Sequence, residues 1–270
     1  MTPPVALTIA GSDSGGGAGI QADLKAFAAN GVFGTTAITA VTAQNTIGVD
    51  GIHLVPAKFV DAQITSVLRD LPVAAVKTGM LATAEIVEVV SRRAVLGDLP
   101  NLVVDPVMVA SSGDRLLDVD AEAAYVELLL PHAVVVTPNL REASLLVHRE
   151  LHDVPGMVKA AIELASTGAR YVMVKGGHLD GEAVDVLFDG ESIHELRAAR
   201  IDSVNVHGTG CSTAATIAAR LAHGDSVPDA VRTAKRYVTG AIAGAADWKL
   251  GAGHGPIDHF GWQEGTAWRS

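Results

Sequence analysis

Short apolar runs alternate with amphipathic stretches along nearly the whole chain. Residues 5–10 and 34–42 are runs of the kind that form buried strands, whereas residues 57–71 place apolar side chains at helical spacing. Strands that alternate with helices are joined by right-handed crossovers and lie parallel in one sheet. The pattern therefore predicts an α/β fold with a central, mostly parallel sheet flanked by helices on both faces.

The same alternation continues through the second half of the chain. Further strands are predicted at residues 73–76, 102–104, 133–136 and 171–174. Further helices are predicted at residues 83–95, 122–130, 158–165, 209–223 and 226–246. Asp189 and Gly190 separate two β-rich runs and predict a short β-hairpin late in the chain. No repeat, charge block or proline-rich linker divides the sequence, so residues 1–270 are expected to form a single domain.

Composition narrows the class of protein. Hydrophobic residues make up 49% of the 270 residues, but no apolar run approaches the roughly 18 residues of a membrane span. The net charge of -10 without a basic cluster argues against nucleic acid as a partner. A single cysteine cannot form an internal disulfide, and the first residues lack the basic region of a signal peptide. These features predict a cytoplasmic protein without a membrane or nucleic-acid partner.

A glycine-punctuated turn at residues 205–213 leads directly into an alanine-rich helix. Gly208 and Gly210 leave backbone N–H groups unshielded at the helix N-terminus, where a phosphate or an oxyanion is stabilised. Cys211 lies at the same helix start, which favours the thiolate, so its pKa is expected to fall. The alternative is that the glycines form a tight turn and Cys211 is a small buried apolar side chain.

A second glycine-rich loop, residues 11–19, follows the first strand and precedes a helix. It is not a P-loop, because Gly16 is followed by Gly17 and Ala18 rather than by Lys and Ser or Thr. It is not a dinucleotide-binding fingerprint either, because Ile20 stands where a third glycine is needed. A glycine loop of this kind is by itself more often a turn than a binding site.

Polar side chains follow several of the predicted strands. Gln44, Asp105 and Lys175 each lie just beyond a strand, where a lysine would bring positive charge to a transferred phosphoryl group. The alternatives are a capped turn for Gln44 and a solvated surface lysine for Lys175. Asn139 and Glu142 share one helical face, where they either orient water around Mg²⁺ or form a capping pair. Because the carboxyl ends of parallel strands meet at one sheet edge, their convergence favours a site.

Eight motifs in order across nearly the whole chain carry a family resemblance. They are residues 10–23 (AGSDSGGGAGIQAD), 42–46 (TAQNT), 77–80 (KTGM), 105–108 (DPVM), 137–142 (TPNLRE), 175–178 (KGGH), 207–211 (HGTGC) and 253–260 (GHGPIDHF). Together they resemble the hydroxymethylpyrimidine and phosphomethylpyrimidine kinases of thiamin biosynthesis, which belong to the ribokinase superfamily. The sequence departs from the pattern of that family at Gly15, where serine is usual, and at Val206, where threonine is usual.

The resemblance implies a ribokinase-like fold and two ATP-dependent reactions. The hydroxymethyl group of 4-amino-5-hydroxymethyl-2-methylpyrimidine would be phosphorylated first, and the monophosphate would then be converted to the pyrophosphate. The resemblance implies that the pyrimidine is held by Asp23 and Gln44, because a carboxylate can accept from the amino group of an aminopyrimidine and an amide can pair with the ring. Apolar contacts with the ring are expected from Ala18, Met80 and Val107.

The resemblance also assigns the chemistry of the turn at residue 208. The N–H groups of Gly208, Thr209, Gly210 and Cys211 are expected to hold the γ-phosphoryl oxygens, with Lys175 neutralising the phosphates of ATP. Cys211 stands where most ribokinase relatives carry an aspartate base. It is therefore expected to act as a base or a proton relay.

The remaining expectations concern the nucleotide, the metal and the assembly. Asn139 is expected at the nucleotide, and Asp105 and Glu142 are expected to hold Mg²⁺ through water. The glycine loop at residues 15–19 would form a substrate-side wall that keeps water from ATP. A monovalent cation is compatible with the resemblance, and a homodimer is expected.

Two other functions remain open from the sequence. A pyridoxal or pyridoxine kinase would use the same cysteine-bearing turn, and Gln44 favours the aminopyrimidine over pyridoxal because an amide suits its ring. A non-catalytic pyrimidine-binding protein is the second alternative, since fold alone does not imply catalysis. The joint presence of Lys175, Asn139 and Glu142 argues against it, because simple binding would not require them.

Overall fold

The computed structural model describes residues 2–108, 119–177, 179 and 181–261, so His178 of the lysine-containing loop lies outside the described residues. Within the described residues, nine strands form one sheet. In chain order they are β1 (Val5–Asp13), β2 (Phe33–Gln44), β3 (Val49–Leu54), β4 (Val73–Thr78), β5 (Val103–Val104), β6 (Val135–Val136), β7 (Tyr171–Val174), β8 (Ala183–Phe188) and β9 (Ile193–Ala198).

The strand order of the sheet is β3-β2-β1-β4-β5-β6-β7-β8-β9. The six central strands, β2, β1, β4, β5, β6 and β7, are parallel to one another. At one edge β3 pairs antiparallel with β2, and at the other edge the antiparallel β8–β9 hairpin pairs with β7 through β8. The chain passes from β1 to β2 on one side and later returns to β4 on the other side of β1. Such a reversal opens a crevice at the carboxyl ends of the two strands, where doubly wound sheets bind ligands.

Eight α-helices of the described residues cover the sheet. They are α1 (Gly19–Ala29), α2 (Ala57–Asp70), α3 (Ala84–Val95), α4 (Val119–Ala124), α5 (Leu140–Leu146), α6 (Val154–Ala165), α7 (Thr209–Ala222) and α8 (Val227–Gly244). Helices α1, α7 and α8 pack on one face, and α2, α3 and α6 pack on the other. The predicted α/β class, with helices on both faces of a mostly parallel sheet and a late hairpin, is confirmed.

Alternate residues of each strand supply the two cores. Leu7 joins the core beneath α2, α3 and α6, whereas Ala6 joins the core beneath α1, α7 and α8. Helix α7 buries a face rich in alanine, including Ala214, Ala215 and Ala218, so it can approach the sheet closely. This close packing brings the N-terminus of α7 to the carboxyl edge of the strands.

Two elements differ from the sequence prediction. Strand β3 was not expected, because it is an edge strand that is exposed along almost its whole length and lacks apolar alternation. The helix predicted at residues 122–130 instead begins at Val119, passes through a π-helical turn at Tyr125–Leu129 and ends in a 3₁₀ turn at Leu130–His132. The π-helical turn buries Tyr125, whose hydroxyl donates a hydrogen bond to the carbonyl of Gly79, 2.9 Å away. That bond fixes the end of β4.

The remaining differences are shifts of element ends. Helix α6 begins four residues before the predicted start at residue 158, because Asp153 caps its first turn and Pro155 suits that position. None of the helices in the described part of the chain is long and apolar enough to cross a bilayer.

Candidate active site

The two glycine-rich loops of the sequence meet at the carboxyl edge of the sheet. Gly208 adopts a left-handed backbone conformation with φ of +84°, and a Cβ at this position would overlap the carbonyl oxygen of Gly17. The turn before α7 and the loop before α1 therefore pack directly on each other. A side chain at Gly208 is excluded both by backbone conformation and by space.

The N-terminus of α7 opens toward a lysine and a carboxylate. A Cβ on Gly210 would lie 3.2 Å from Lys175 Nζ and 3.9 Å from Asp105 Oδ2. Backbone N–H groups at a helix start, next to an ammonium group, form a site suited to the phosphates of a nucleotide. Thr209 is the first residue of α7, and its backbone N–H donates to the carbonyl of Val206 at 3.3 Å.

Lys175 is held beside that N-terminus by Asp105. Its Nζ donates to Asp105 Oδ1 at 2.8 Å, and Thr137 Oγ1 donates to the same oxygen at 3.0 Å. The lysine side chain is only 12% exposed, so it is not a solvated surface lysine. Burial opposes its charge, but Asp105 and Glu142 outweigh burial and raise the pKa of Lys175 above its ordinary value. The ammonium group is therefore a fixed positive charge at neutral pH.

Asn139 and Glu142 form the capping box that the sequence left open against a metal-associated role. Asn139 Oδ1 accepts a hydrogen bond from the backbone N–H of Glu142, and Glu142 Oε2 accepts one from the backbone N–H of Asn139. Burial raises the pKa of Glu142 to about 8, with Lys175 lowering it and Asp105 raising it further. At neutral pH the Glu142 carboxyl is therefore largely protonated, and a nearby cation would displace its proton. The capping box occupies only Oε2, so it does not exclude a role at Mg²⁺.

Cys211 differs from the sequence expectation. Burial raises the pKa of its thiol to about 11, and the positive charge of Lys77 only partly offsets this effect. The expected fall in pKa is wrong, because removal of the thiol from water outweighs the helix N-terminus and the nearby lysine. The side chain is half-buried and protonated at neutral pH.

Asp23 also differs from its expected role. Its side chain has no exposed surface and accepts hydrogen bonds from Lys77 Nζ at 2.8 and 2.9 Å and from Thr8 Oγ1 at 2.6 Å. Because the side chain has no exposed surface and both carboxylate oxygens accept bonds within the protein, Asp23 cannot accept a hydrogen bond from a pyrimidine in this arrangement. The expectation of direct contact is therefore corrected to a buried ion pair with Lys77.

The other expected substrate residues do lie at the same edge. Met80 and Val107 pack with Ala40 and Ala82 in a small apolar cluster of their own. The terminal methyl of Met80 covers Gly11, where a Cβ would lie 2.5 Å from it. Ala18 and Gln44 are half-buried at the ends of the glycine loop and of β2. The hydroxyl of Thr42 donates to Gln44 Oε1 at 3.1 Å, which orients the amide.

Sequence reasoning missed four residues that organise this edge: Asp13, Lys77, Tyr125 and His207. Asp13, Lys77 and His207 were part of the quoted motifs, but no chemistry was assigned to them. Lys77 is the clearest omission, since a lysine within an apolar strand signals a buried partner. The partner of Tyr125 could not be found from local pattern, because its hydrogen bond reaches a strand 46 positions away in sequence.

Phosphoryl transfer requires little of a protein beyond alignment and neutralisation of charge. A helix N-terminus, a fixed ammonium group and buried carboxylates at one end of a parallel sheet supply both. The class that this fold and site define is a small-molecule kinase with a ribokinase-like fold.

Comparisons with known proteins specify the family. The family model described as phosphomethylpyrimidine kinase matches residues 13–258. The hydroxymethylpyrimidine/phosphomethylpyrimidine kinase of Streptomyces coelicolor is 51% identical over 265 residues, which cover 98% of this chain and 97% of that protein. The chain therefore belongs to the phosphomethylpyrimidine kinase family.

Solved structures agree on the fold. The phosphomethylpyrimidine kinase of Clostridium difficile is 40% identical with a TM-score of 0.79, covering 88% of this chain and 99% of that chain. The pyridoxal kinase of Bacillus subtilis in complex with ADP is 39% identical with a TM-score of 0.87, covering 96% of this chain and 98% of that chain. Kinases named for two different substrates thus share this architecture.

Proposed function

We propose that the chain phosphorylates 4-amino-5-hydroxymethyl-2-methylpyrimidine with ATP and then converts the monophosphate to the pyrophosphate in thiamin diphosphate biosynthesis. The observation that carries this proposal is the 51% identity to the Streptomyces coelicolor kinase over nearly the full length of both chains. The family model, which spans residues 13–258, includes every residue to which the proposal gives a role. Membership of a kinase family argues against a purely binding role.

At the nucleotide end, the backbone N–H groups of Gly208, Gly210 and Cys211 would hold the γ-phosphoryl oxygens. The N–H of Thr209 would join them only by leaving the carbonyl of Val206. Lys175 would neutralise charge on the phosphates, since its Nζ is beside Gly210 and is held by Asp105 at 2.8 Å. Asn139 would contact the nucleotide from the start of α5, next to Lys175, whose backbone N–H donates to the carbonyl of Pro138. Preorganised donors of this kind act most strongly on charge that develops in the transition state.

Asp105 and Glu142 fit a role at Mg²⁺. Among the described residues, Asp105 Oδ2 and Glu142 Oε1 accept no hydrogen bond, so each carboxylate keeps one oxygen for water or a cation. No group of three or more metal-binding side chains occurs in the described residues, which suits an ion that keeps most of its water. When bound, Mg²⁺ would neutralise the transferring phosphoryl group. A monovalent cation is a further candidate at the phosphates.

At the substrate end, Gln44 would hydrogen-bond the aminopyrimidine while Met80, Val107 and Ala18 line its apolar faces. The contribution of Asp23 would be indirect, through the ion pair with Lys77. Cys211 would approach the acceptor hydroxyl in its protonated form, take the hydroxyl proton and pass its own thiol proton to an oxygen of the transferred phosphoryl group, rather than act as a thiolate base. A loose phosphoryl-transfer transition state makes little demand on a strong base.

Pyridoxal is the second candidate substrate. The observation that favours it is the 39% identity and the TM-score of 0.87 to the Bacillus subtilis pyridoxal kinase. The higher identity to the pyrimidine kinase from Streptomyces coelicolor places pyridoxal second. We further propose that the protein is cytoplasmic and forms a homodimer. The homodimer is supported by the outer edge of β3, where Ile52 and Leu54 are exposed.

The test measures ADP release with ATP and Mg²⁺ in the presence of the hydroxymethylpyrimidine, its monophosphate or pyridoxal, with products identified by mass. Formation of the pyrophosphate from the hydroxymethylpyrimidine is expected. Turnover of pyridoxal alone would contradict the proposal and assign the chain to vitamin B6 metabolism. Parallel assays with and without K⁺ test the monovalent cation, and sedimentation equilibrium tests the dimer.

A further inference from the structure

Asp13 holds the glycine loop from within. Its Oδ1 accepts a hydrogen bond from the backbone N–H of Gly15 at 2.7 Å, and its Oδ2 accepts from the N–H groups of Gly17 at 3.1 Å and Ala18 at 2.8 Å. The loop is therefore wrapped around one buried carboxylate and is not simply a flexible cover. These three donors stand at the start of α1, which has no side-chain cap of its own.

The same carboxylate reaches the turn before α7. His207 Nε2 lies 3.0 Å from Asp13 Oδ2, although the two residues are 194 positions apart in sequence. Burial would raise the pKa of Asp13, but hydrogen bonds from His207, Ala18 and Gly15 outweigh burial and lower it below its ordinary value. Asp13 is thus a carboxylate that can only accept, so the His207 Nε2–H is the donor.

Packing reinforces this link from both sides. A Cβ on Gly17 would overlap the His207 ring, and a Cβ on Gly208 would overlap the Gly17 carbonyl. The imidazole is pressed against the glycine loop, and the turn that follows it is pressed against the same peptide. A displacement of either loop would therefore displace the other.

The contacts continue around the substrate edge and close into a ring. The backbone N–H of His207 donates to the carbonyl of Gly255. The N–H of Gly253 donates to the hydroxyl of Thr46, which lies just beyond β2. The hydroxyl of Ser14 then donates to the carbonyl of Gln44 and accepts from its N–H, each at 2.8 Å. Because Ser14 belongs to the glycine loop, these bonds complete the ring. Among the hydrogen bonds named for this ring, the one between Asp13 and His207 has a carboxylate as its acceptor, which strengthens it.

We propose that Asp13 and His207 are positioning residues for phosphoryl transfer. They hold the glycine loop, which forms the pyrimidine side of the site, in register with the Gly208 turn, which holds the transferred phosphoryl group. This inference rests on the proposed function, because it assigns the loop to the acceptor. A fixed relative position of the two loops places the acceptor hydroxyl in line with the γ-phosphorus and keeps water from the γ-phosphorus.

Three variants test the pair. His207→Leu removes the donor and keeps most of the volume, whereas His207→Gln keeps an N–H donor at the end of the side chain. His223→Leu is the matched control, because His223 also donates through Nε2, to the Asn30 carbonyl at 2.8 Å, but lies at the far end of α7. Each variant is assayed for KM of the pyrimidine, KM of ATP, melting temperature, and the ratio of ADP released to phosphoryl groups transferred to the pyrimidine, with each pyrophosphate counted as two.

His207→Leu is expected to lower kcat/KM for the pyrimidine by about 10- to 100-fold, the range for a small misplacement of reacting groups. Its KM for ATP should stay within about twofold, and its ratio of ADP to transferred phosphoryl groups, which is one when every transfer reaches the pyrimidine, should rise above one because water competes with the acceptor. His207→Gln should recover most of the loss, and His223→Leu should behave like the wild type. Equal losses in His207→Leu and His207→Gln, or an unchanged ratio in both, would overturn the proposal.

Gly17→Ala is a second approach for the case in which His207→Leu does not fold. It leaves the Asp13 and His207 side chains in place but introduces a methyl group where the His207 ring lies. The same rise in the ratio of ADP to transferred phosphoryl groups is expected, and an unchanged ratio would contradict the proposal. Failure of the proposed function is distinguishable, because the wild-type protein would then form no phosphorylated pyrimidine.

Discussion

Two lysines each form an ion pair of 2.8 Å with a buried aspartate at the same edge of the sheet, but the two pairs have different surroundings. Lys77 and Asp23 have no exposed side-chain surface, and Thr8 donates to the same carboxylate. The Lys175 side chain is 12% exposed, and Oδ2 of Asp105 faces Gly210. The first pair is closed, because Lys77 bonds both oxygens of Asp23, whereas Lys175 bonds one oxygen of Asp105 and the other faces the site. The same ion-pair distance is therefore compatible with a structural role in the first place and with the proposed chemical role in the second.

The closed pair should give the largest loss of stability. Lys77→Met leaves the Asp23 carboxylate buried without its cation, which is expected to lower the free energy of unfolding by about 3–5 kcal/mol. Urea unfolding at pH 7 measures this change. The double variant Lys77→Met, Asp23→Asn removes both charges and should regain more than half of the loss. A single variant as stable as the wild type would show that the pair is not closed.

The open pair should give a smaller effect, on turnover and not on stability. Lys175→Met is expected to lower kcat by about 10²–10³-fold, the usual cost of removing one donor to developing charge. Its melting temperature should change little, because water or a cation can reach the remaining Asp105 oxygen. Steady-state ADP release measures kcat, with Lys159→Met as the control because Lys159 is exposed on α6. Full turnover in Lys175→Met would remove its charge role.

Glu142 sharpens the comparison because it has both a structural bond and a free oxygen. Glu142→Gln keeps an acceptor for the Asn139 N–H, so the capping box and the melting temperature should persist. The concentration of Mg²⁺ needed for half-maximal rate should rise about 10-fold, as for other residues that support a metal site. Glu163→Gln, on exposed α6 surface, is the matched control. An unchanged Mg²⁺ requirement would leave Glu142 with the capping role alone.

Sequence pattern was sufficient for the parts of the molecule that depend on local periodicity. Buried parallel strands with short apolar runs identified the sheet, and the carboxyl ends of those strands brought Lys175, Asp105 and Asn139 together as expected. The glycines at 208 and 210 also marked the correct helix start. These inferences succeeded because a strand end and a helix N-terminus fix the position of a side chain regardless of the rest of the fold.

Pattern failed where burial by distant segments decides the chemistry. The Asp23 carboxylate was expected at the ligand, but its partner Lys77 lies 54 positions away and faces the same side of the sheet as α1. The pKa of Cys211 was expected to fall because the helix start was visible, whereas the burial that raises it was not. Strand β3 was missed because an exposed edge strand has no apolar signal.

Cys211 gives the smallest expected effect. Because its thiol is protonated at neutral pH, Cys211→Ser substitutes one neutral hydrogen-bonding group for another, and kcat should fall by less than about 10-fold. A general base contributes about 10²–10⁴-fold, so a loss above about 100-fold would restore the thiolate as the base. Cys211→Ala, which keeps the backbone N–H groups of the turn, separates the side chain from the anion site.

Alkylation of the same thiol measures its protonation directly. The chain has one cysteine, so the rate of modification by iodoacetamide reports Cys211 alone. With the pKa raised to about 11, the thiolate fraction and the rate should keep rising as the pH increases from 7 to 10. A thiol with a lowered pKa would instead reach a constant rate within that range. A plateau below pH 9 would therefore contradict the protonated thiol and make Cys211 the base for the acceptor hydroxyl.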